Sequence, residues 1–423
     1  MQLKHFHLML LVFLFFGALA AQTPKATGLP ELLRMALRDN PQLKALRNAQ
    51  EAQEAGVSPA GTLPDPTLGI SFLNVPWNNP VFDQEAMSGK QINLAQKIPF
   101  PGKLALKRNI VAKEAAIVKA QYLEFKNRLI KDVKTAYYDL FYLDQAVLTT
   151  RKNQEVLKEF VKIATAKYAV GKGLQQDVLK AQVELARQSD LLLTLNQKRD
   201  VVQARLNRLL NRSPQIPIAT TSLPDVLTLR RFAKHGNAYS LDQRPLLIGW
   251  RQRLEQSKKR IDLAKKNYWP DFTVSLAYTQ RDVLISGKGG TDFISLGIRF
   301  NLPLYFHSKQ SKQVEASVLR KQFTEQSLEN TRNQISEALA NALSALQKNL
   351  DQEELYRHSI IPQARQALES ARAGYQNDKV DFLTLLNNEI TLFKIELSYQ
   401  RILSDSFKSL AELEYVIGYP LEK

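Results

Sequence analysis

Side chains that could bind a metal or catalyse a reaction are few and widely separated in this chain of 423 residues. There is no cysteine, which removes disulfides, thiolate metal sites and cysteine nucleophiles together. Two of the five histidines lie in the first ten residues, and the others, His235, His307 and His358, show no HExxH or related ligand spacing. The sequence therefore predicts no metal site and no cofactor.

Two further segments resemble catalytic motifs only superficially. Residues 287–291 read Gly-Lys-Gly-Gly-Thr, but they lack the GxxxxGK[ST] order of a phosphate loop and lie between two alternating segments. Glu353 and Glu354 lie in a helical pattern among Lys and Arg, which is typical of a solvated, salt-bridged face and not of acid–base catalysis. We predict that the chain is not an enzyme.

Two short turns between helical patterns carry charged and helix-capping residues. Their notable residues are Tyr168, Gly171, Lys172, Gly173, Asp177, Tyr375, Asp378, Lys379 and Asp381. Gly171 and Gly173 suit a left-handed helix C-cap, whereas Asp177 and Asp381 can accept hydrogen bonds from the first N–H groups of the next helix. Capping alone accounts for both turns.

The elements around these turns form an internal duplication at an offset of about two hundred residues. Pro64-Asp65-Pro66 and Pro270-Asp271 each precede segments in which apolar residues alternate with polar ones, as in half-buried strands. The four segments are 67–75, 90–98, 271–280 and 292–302. Their length suits tilted strands of a transmembrane barrel or strands of a soluble sheet, and because four strands cannot close a barrel, a spanning role requires several subunits.

Long helices follow each strand pair. Residues 104–167 contain neither Gly nor Pro and would extend about 96 Å as a single helix. Residues 308–374 have the same character, with a kink expected at Pro362. Return helices are predicted at 175–211 and 381–417, and shorter helices at 29–55 and 240–267. The shorter helices add to the return helices to match each long helix, which favours a four-rod bundle.

The strand-to-helix junctions and the repeat boundaries follow from proline and glycine. Pro99 and Pro101 end the second strand and Gly102 permits a sharp turn, with Pro303 at the matching place in the second copy. The predicted domains are a first repeat at 22–212, an irregular linker at 213–239 containing three prolines, and a second repeat at 240–423.

Residues 1–21 have the pattern of a cleaved signal peptide. Lys4 precedes an apolar run from Leu8 to Phe16, and small residues follow at 17–21. This apolar stretch is shorter than the roughly 20 residues that a spanning helix needs. The signal predicts export, and the lack of cysteine predicts no lipid anchor. Export argues against nucleic acid as a partner, despite a net charge of +17 that is dispersed along the helical patterns.

Together these features resemble the TolC family of outer-membrane factors. The local marks are Leu-Pro-Asp-Pro-Thr-Leu at 63–68, Ile-Pro-Phe-Pro-Gly-Lys-Leu at 98–104 and the two helix-turn-helix tips, and they are similar to the branch serving heavy-metal cation pumps of the resistance-nodulation-division (RND) type. The resemblance implies a mainly helical fold and a homotrimer whose subunits share a twelve-stranded β-barrel in outer-membrane lipid. It also implies that the tips form a periplasmic mouth that meets an adaptor protein. The second tip departs from the family, because Asp378 stands where Gly is common.

The leading hypothesis is a passive outer-membrane duct of a tripartite efflux pump, supplied by an inner-membrane RND pump and a periplasmic adaptor with heavy-metal cations or small toxic molecules. One alternative is the outer-membrane component of a type I protein secretion system. Another is a periplasmic structural coiled coil whose strands form a soluble sheet without a pore.

Overall fold

The computed structural model describes residues 28–234 and 239–421. The predicted signal peptide and His235 lie outside these ranges. Within them, the chain forms two units: a tip unit of residues 28–40, 128–234 and 342–414, and a sheet unit of residues 41–127, 239–341 and 415–421.

Four antiparallel strands make the sheet of the sheet unit, in the order β1-β2-β3-β4. They are β1 Thr67–Leu73, β2 Gly89–Ile98, β3 Phe272–Gln280 and β4 Phe293–Phe300. Each repeat thus contributes one hairpin, and the two hairpins join along β2 and β3, from Lys90 opposite Gln280 to Ile98 opposite Phe272. β1 and β4 are the edge strands.

Helices account for most of the remaining described residues. They are α1 Leu29–Asp39, α2 Pro41–Ala55, α3 Val57–Ala60, α4 Lys103–Ala169, α5 Gln175–Leu209, α6 Arg230–Lys234, α7 Pro245–Lys266, α8 Gln310–Leu355, α9 Ile361–Gln376 and α10 Phe382–Ile417. The 67 residues of α4 run without a break, since no Gly or Pro interrupts them.

Three predicted elements need correction. The helix predicted at 29–55 is broken at Asn40, which has an extended backbone. The ring of the following residue, Pro41, disfavours the α conformation at Asn40. The helix predicted from 240 begins at Pro245, since proline suits the first helical position. The linker predicted to be irregular contains a 3₁₀-helix at Val226–Leu229 followed by α6.

The second long helix also differs from its prediction. A π-helix at Tyr356–Ile360 separates α8 from α9, and the N–H of Ile361 donates to the carbonyl of Tyr356, five residues back. Pro362 lies directly after this wide turn. Because proline cannot donate the next helical hydrogen bond, a widened turn before it accommodates the missing donor.

Each unit has its own apolar core. In the tip unit α4, α5, α9 and α10 meet at a cluster of buried residues: Leu157, Phe160, Ala164, Ala181, Ala371, Phe382, Leu385 and Leu386. In the sheet unit Leu247 of α7 packs with Ile335 and Val416. These cores fix the helices that end at the turns and junctions described next.

Candidate functional site

The sheet has one apolar face that is open to its surroundings. Ile70, Ile92, Tyr278 and Ile294 lie side by side across the four strands, and Leu94, Leu276 and Leu296 form the next row. Ile294 is 77% exposed and Leu296 is 74% exposed. A contiguous apolar surface of this kind marks contact with a membrane or another protein.

The opposite face of the same sheet is polar. It carries mainly small or uncharged residues: Thr67, Gly69, Ser71, Gln91, Asn93, Ala95, Thr273, Ser275, Ala277, Thr279, Ser295 and Gly297. Lys97 and Arg299 lie on this face at the end nearest the helices. The sheet therefore separates an apolar side from a polar side by the two-residue period that the sequence shows.

Buried polar contacts fix the first strand-to-helix junction. Asp271 accepts hydrogen bonds from the Phe100 N–H at 2.9 Å and from the Lys103 ammonium at 2.8 Å, and Lys103 also donates to the Trp269 carbonyl. Burial acts to raise the pKa of Asp271, but these hydrogen bonds outweigh it and hold the pKa below its ordinary value. Gly102 supplies the turn with a φ of +86°.

Pro99 and Pro101 flank Phe100 in this junction, and the Phe100 ring stacks on Trp269 at 5.2 Å. The carbonyl of Pro101 accepts a hydrogen bond from the Lys266 ammonium at 3.1 Å. The start of α4 is thereby attached to the end of α7, which leads into β3.

The second junction, around Pro303, is more open. Its neighbours Leu302, Leu304 and Tyr305 are largely exposed. Asn301 connects this junction to the first, because its side-chain oxygen accepts a hydrogen bond from the Asp271 N–H at 2.7 Å. Asp271 therefore contacts both junctions.

Both helix tips have the same backbone motif. In the first, the Lys172 N–H donates to the Lys167 carbonyl at 2.9 Å and the Gly171 N–H donates to the Tyr168 carbonyl at 3.0 Å. Gly171 has a φ of +73°. These two bonds around a left-handed residue define a Schellman C-cap at the end of α4.

The second tip repeats this motif 207 positions later, a spacing given by 378 minus 171. The Lys379 N–H donates to the Gly374 carbonyl at 2.9 Å and the Asp378 N–H donates to the Tyr375 carbonyl at 3.3 Å. Asp378 occupies the left-handed position with a φ of +54°. A residue with a Cβ is disfavoured there, although Asp tolerates it better than most.

A cross-link joins the two tips. The Lys167 ammonium lies 2.7 Å from a carboxylate oxygen of Asp378 and 4.1 Å from the centroid of the Tyr375 ring. Its hydrogen bond to Asp378 lowers the pKa of that carboxyl group and raises the pKa of Lys167. The sequence analysis did not identify Lys167 as a site residue. Its only sequence signal is its position five residues before Lys172, where the C-cap motif begins.

The other tip residues divide between capping and exposed positions. Asp381 caps α10, since its side chain accepts the Thr384 N–H at 2.6 Å, and this hydrogen bond lowers its pKa. Asp177 lies in the first turn of α5, where no side chain caps the helix. Tyr168, Lys172 and Lys379 are exposed. The remaining residue, Gly173, packs against the Lys167 backbone.

The residues considered for chemistry are not brought together. His307 lies against the Phe306 ring and His358 lies in the π-helix. Among the described residues, no group of three His, Cys, Asp or Glu side chains is arranged to hold a metal ion. Glu354 is exposed, as predicted for a solvated face. The same prediction is wrong for Glu353, which is only 2% exposed and accepts a hydrogen bond from the Tyr399 hydroxyl at 3.2 Å.

No helix in the described part of the chain has an apolar stretch long enough to cross a membrane.

The sheet has one apolar and one polar face and is joined to long helices, an architecture that suits a channel-forming protein. Comparison with known families gives the same class. The model of the outer membrane efflux protein family matches residues 32–212 and 239–418. The chain belongs to the outer membrane efflux protein family, whose members are channels and not enzymes. This assignment confirms the resemblance to TolC-like channels and the prediction that the chain is not an enzyme.

Individual relatives match nearly the whole chain, one in sequence and two in fold. The cobalt-zinc-cadmium resistance protein CzcC of Cupriavidus metallidurans is 21% identical over 393 residues, which cover 91% of this chain and 88% of CzcC. The crystal structure of the outer membrane protein VceC from Vibrio cholerae matches with a TM-score of 0.78 at 19% identity, covering 93% of this chain and 97% of VceC. CusC, whose crystal structures concern folding and transmembrane channel formation, matches with a TM-score of 0.77 at 14% identity, covering 92% of each chain.

Proposed function

We propose that the protein is the passive exit duct of a tripartite efflux pump in a Gram-negative outer membrane. The observation that carries this proposal is the sheet, whose exposed apolar face suits lipid and whose polar face suits a water-filled bore. Burying apolar area stabilises a protein by about 25 cal/mol per Å², so this face would be covered by lipid.

The two edge strands support a closed ring of copies, for which we propose a homotrimer. β1 and β4 each have a neighbour on one side only, and unpaired backbone groups are unfavourable in lipid. Pairing β4 of one copy with β1 of the next would satisfy both edges, and three copies would give a twelve-stranded barrel. The proposed organisation is that of an exported, duplicated subunit, with a signal peptide at 1–21, repeats at 22–212 and 240–423, and a linker at 213–239.

The tips are the proposed contact with the periplasmic adaptor and the proposed gate. The proposed gate and contact residues are Tyr168, Gly171, Lys172, Gly173, Asp177, Tyr375, Asp378, Lys379 and Asp381, and we add Lys167 because it pairs with Asp378. Separating Lys167 from Asp378 would break the one ion pair that connects these two turns among the described residues, and would leave the contact of Lys167 with Tyr375 as the remaining polar link. Pro99, Pro101, Gly102 and Pro303 are the proposed strand-to-helix hinges.

The proposed cargo is heavy-metal cations or small toxic molecules, delivered by an inner-membrane RND-type pump. Similarity to a cobalt-zinc-cadmium resistance protein supports metals. Loss of the gene should lower the tolerated concentration of Co²⁺, Zn²⁺ or Cd²⁺, and restoring it should recover tolerance. Unchanged metal and drug tolerance together with loss of one exported protein would favour a type I secretion role.

A matched pair of variants tests the membrane assignment. Leu296→Lys places a charge on the apolar face, where it would cost about 2–4 kcal/mol in lipid. Ser295→Lys places the same charge on the adjacent polar face. Cell fractionation should find the wild-type protein and Ser295→Lys in the outer membrane and should find less Leu296→Lys there, while planar-bilayer recording of the wild type should show channels. Recovery of the wild type as a soluble rod without conductance would overturn the proposal in favour of a periplasmic coiled coil.

A further inference from the structure

Two positive side chains form one row across the polar face of the sheet. Lys97 of β2 pairs with Thr273 of β3, and Thr273 pairs with Arg299 of β4. Residues paired in this way project to the same face, and adjacent strands are about 4.8 Å apart. The two basic residues are therefore separated by about 10 Å on a single rung.

No other charge lies on this face within the four described strands. Every other strand position on this face is neutral, including Thr67 in β1 and Gly297 in β4. Lys97 and Arg299 are both exposed, and neither forms an ion pair with a residue in the described ranges.

Two carboxylates near this end of the sheet do not cancel the rung. Asp271 is bound to Lys103 at 2.8 Å, which matches its charge, and its attraction to Lys97 is the weaker of these two charge interactions. Asp65 precedes β1, outside the strand ladder, and forms no ion pair within the described residues. The polar face keeps two positive charges per subunit against at most one nearby unmatched negative charge.

We infer that Lys97 and Arg299 make the duct anion-preferring at the strand-to-helix end of the sheet, favouring anionic and neutral solutes over free cations. The inference rests on the proposed function, in which the polar face lines the bore. Charges that line a pore select among ions by attraction and repulsion. Their reach is the Debye length, about 10 Å at 0.1 M salt and about 3 Å at 1 M. A free divalent metal ion would meet a barrier here that a neutral or anionic metal complex would not meet.

The test is the reversal potential of the full-length protein in planar bilayers under a KCl gradient near 0.1 M. The wild type should pass Cl⁻ more readily than K⁺, and Lys97→Gln/Arg299→Gln should lower the Cl⁻/K⁺ permeability ratio at least about threefold. Raising the salt to 1 M should weaken the preference of the wild type by screening. Lys288→Gln, which removes one positive charge from the loop between β3 and β4, is the control and should leave the ratio within about 1.5-fold of wild type.

The outcomes separate this inference from the proposed function. Channels whose Cl⁻/K⁺ ratio is the same in the wild type and the double variant would overturn the inference and leave the duct intact. A wild type that forms no channels would overturn the proposed function itself.

Discussion

At the first tip, Gly171 occupies the left-handed cap position with no atom near the place where a Cβ would lie, whereas at the second tip Asp378 occupies that position with a side chain. Asp378 is held by Lys167, which belongs to the helix of the first tip. Both turns are closed by the same backbone hydrogen bonds, but only the second also has a side chain at its left-handed position that is held by the neighbouring helix. Two copies of one backbone motif therefore differ in whether a side chain from the neighbouring helix supports the turn.

The strand-to-helix junctions differ in the same sense. In the first copy, Lys103 is almost buried and bound to Asp271, while Leu304 and Tyr305 of the second junction are exposed. The difference teaches that duplication preserved the backbone geometry and left the side-chain contacts free to specialise.

The largest effect is expected where the first junction is broken. Lys103→Met leaves the Asp271 carboxylate, only 22% exposed, without its cation and should destabilise the protein by about 3–5 kcal/mol. Lys309→Met at the second junction, where the lysine is exposed, should change stability by less than about 0.5 kcal/mol. Thermal unfolding in detergent, followed by circular dichroism, measures both; equal losses would contradict the contrast between junctions.

The next effect should come from making the first tip unable to form its turn. Gly171→Val forces a β-branched residue to a φ of +73° and should lower the local opening free energy by about 1–2 kcal/mol. Gly171→Asn, which tolerates that conformation, is the control. Hydrogen exchange of peptides covering residues 165–180 should separate the two variants, and identical protection would show that the turn does not depend on Gly171.

A smaller effect should follow from replacing Asp378 at the second tip. Asp378→Ala keeps the unfavourable positive φ and loses the exposed Lys167 contact, so amide exchange in residues 374–384 should rise about two- to fivefold. Asp378→Gly also loses the contact but removes the backbone strain, and its exchange should rise less. Faster exchange in the glycine variant than in the alanine variant would contradict this account.

The smallest effect should be the response of the tips to acid. The pKa of Asp378 is lowered in the folded protein by its hydrogen bond to Lys167. The stability from this pair is present above the unfolded pKa, near 3.9, and is lost as the pH falls through the lower folded pKa. Exchange at the second tip, corrected for intrinsic rates, should rise below about pH 4 and should do so less in Asp378→Asn. The glycine-based first tip should show no matching rise.

Much of the backbone was predictable because its signals are local. Proline and glycine at 99–102 ended a strand, alternation at 67–75 marked another, and the absence of both breakers from 104 to 167 indicated α4. The left-handed caps were predictable where glycine supplied them, as at Gly171. Asp378 was noted as a departure from glycine, but its positive φ has no unambiguous signal in residue type.

Contacts between distant residues could not be predicted from one sequence. Lys167 reaches Asp378 across 211 positions, and Lys103 reaches Asp271 across 168. Both lysines look like ordinary helix residues until the fold places a carboxylate beside them. The break at Asn40 was missed because the pattern of apolar residues continues through it, although Pro41 was a signal that could have been used.

The π-helix at Tyr356–Ile360 changes the rotational phase of everything that follows it. One extra residue in a helical turn rotates the downstream side chains by about 100° around the helix axis, since an α-helix has about 3.6 residues per turn. Deleting a single residue there would preserve the composition of α9 but turn Asp378 away from Lys167. In this chain a one-residue change in helix length, some twenty positions from the tip, would decide whether the two turns can meet.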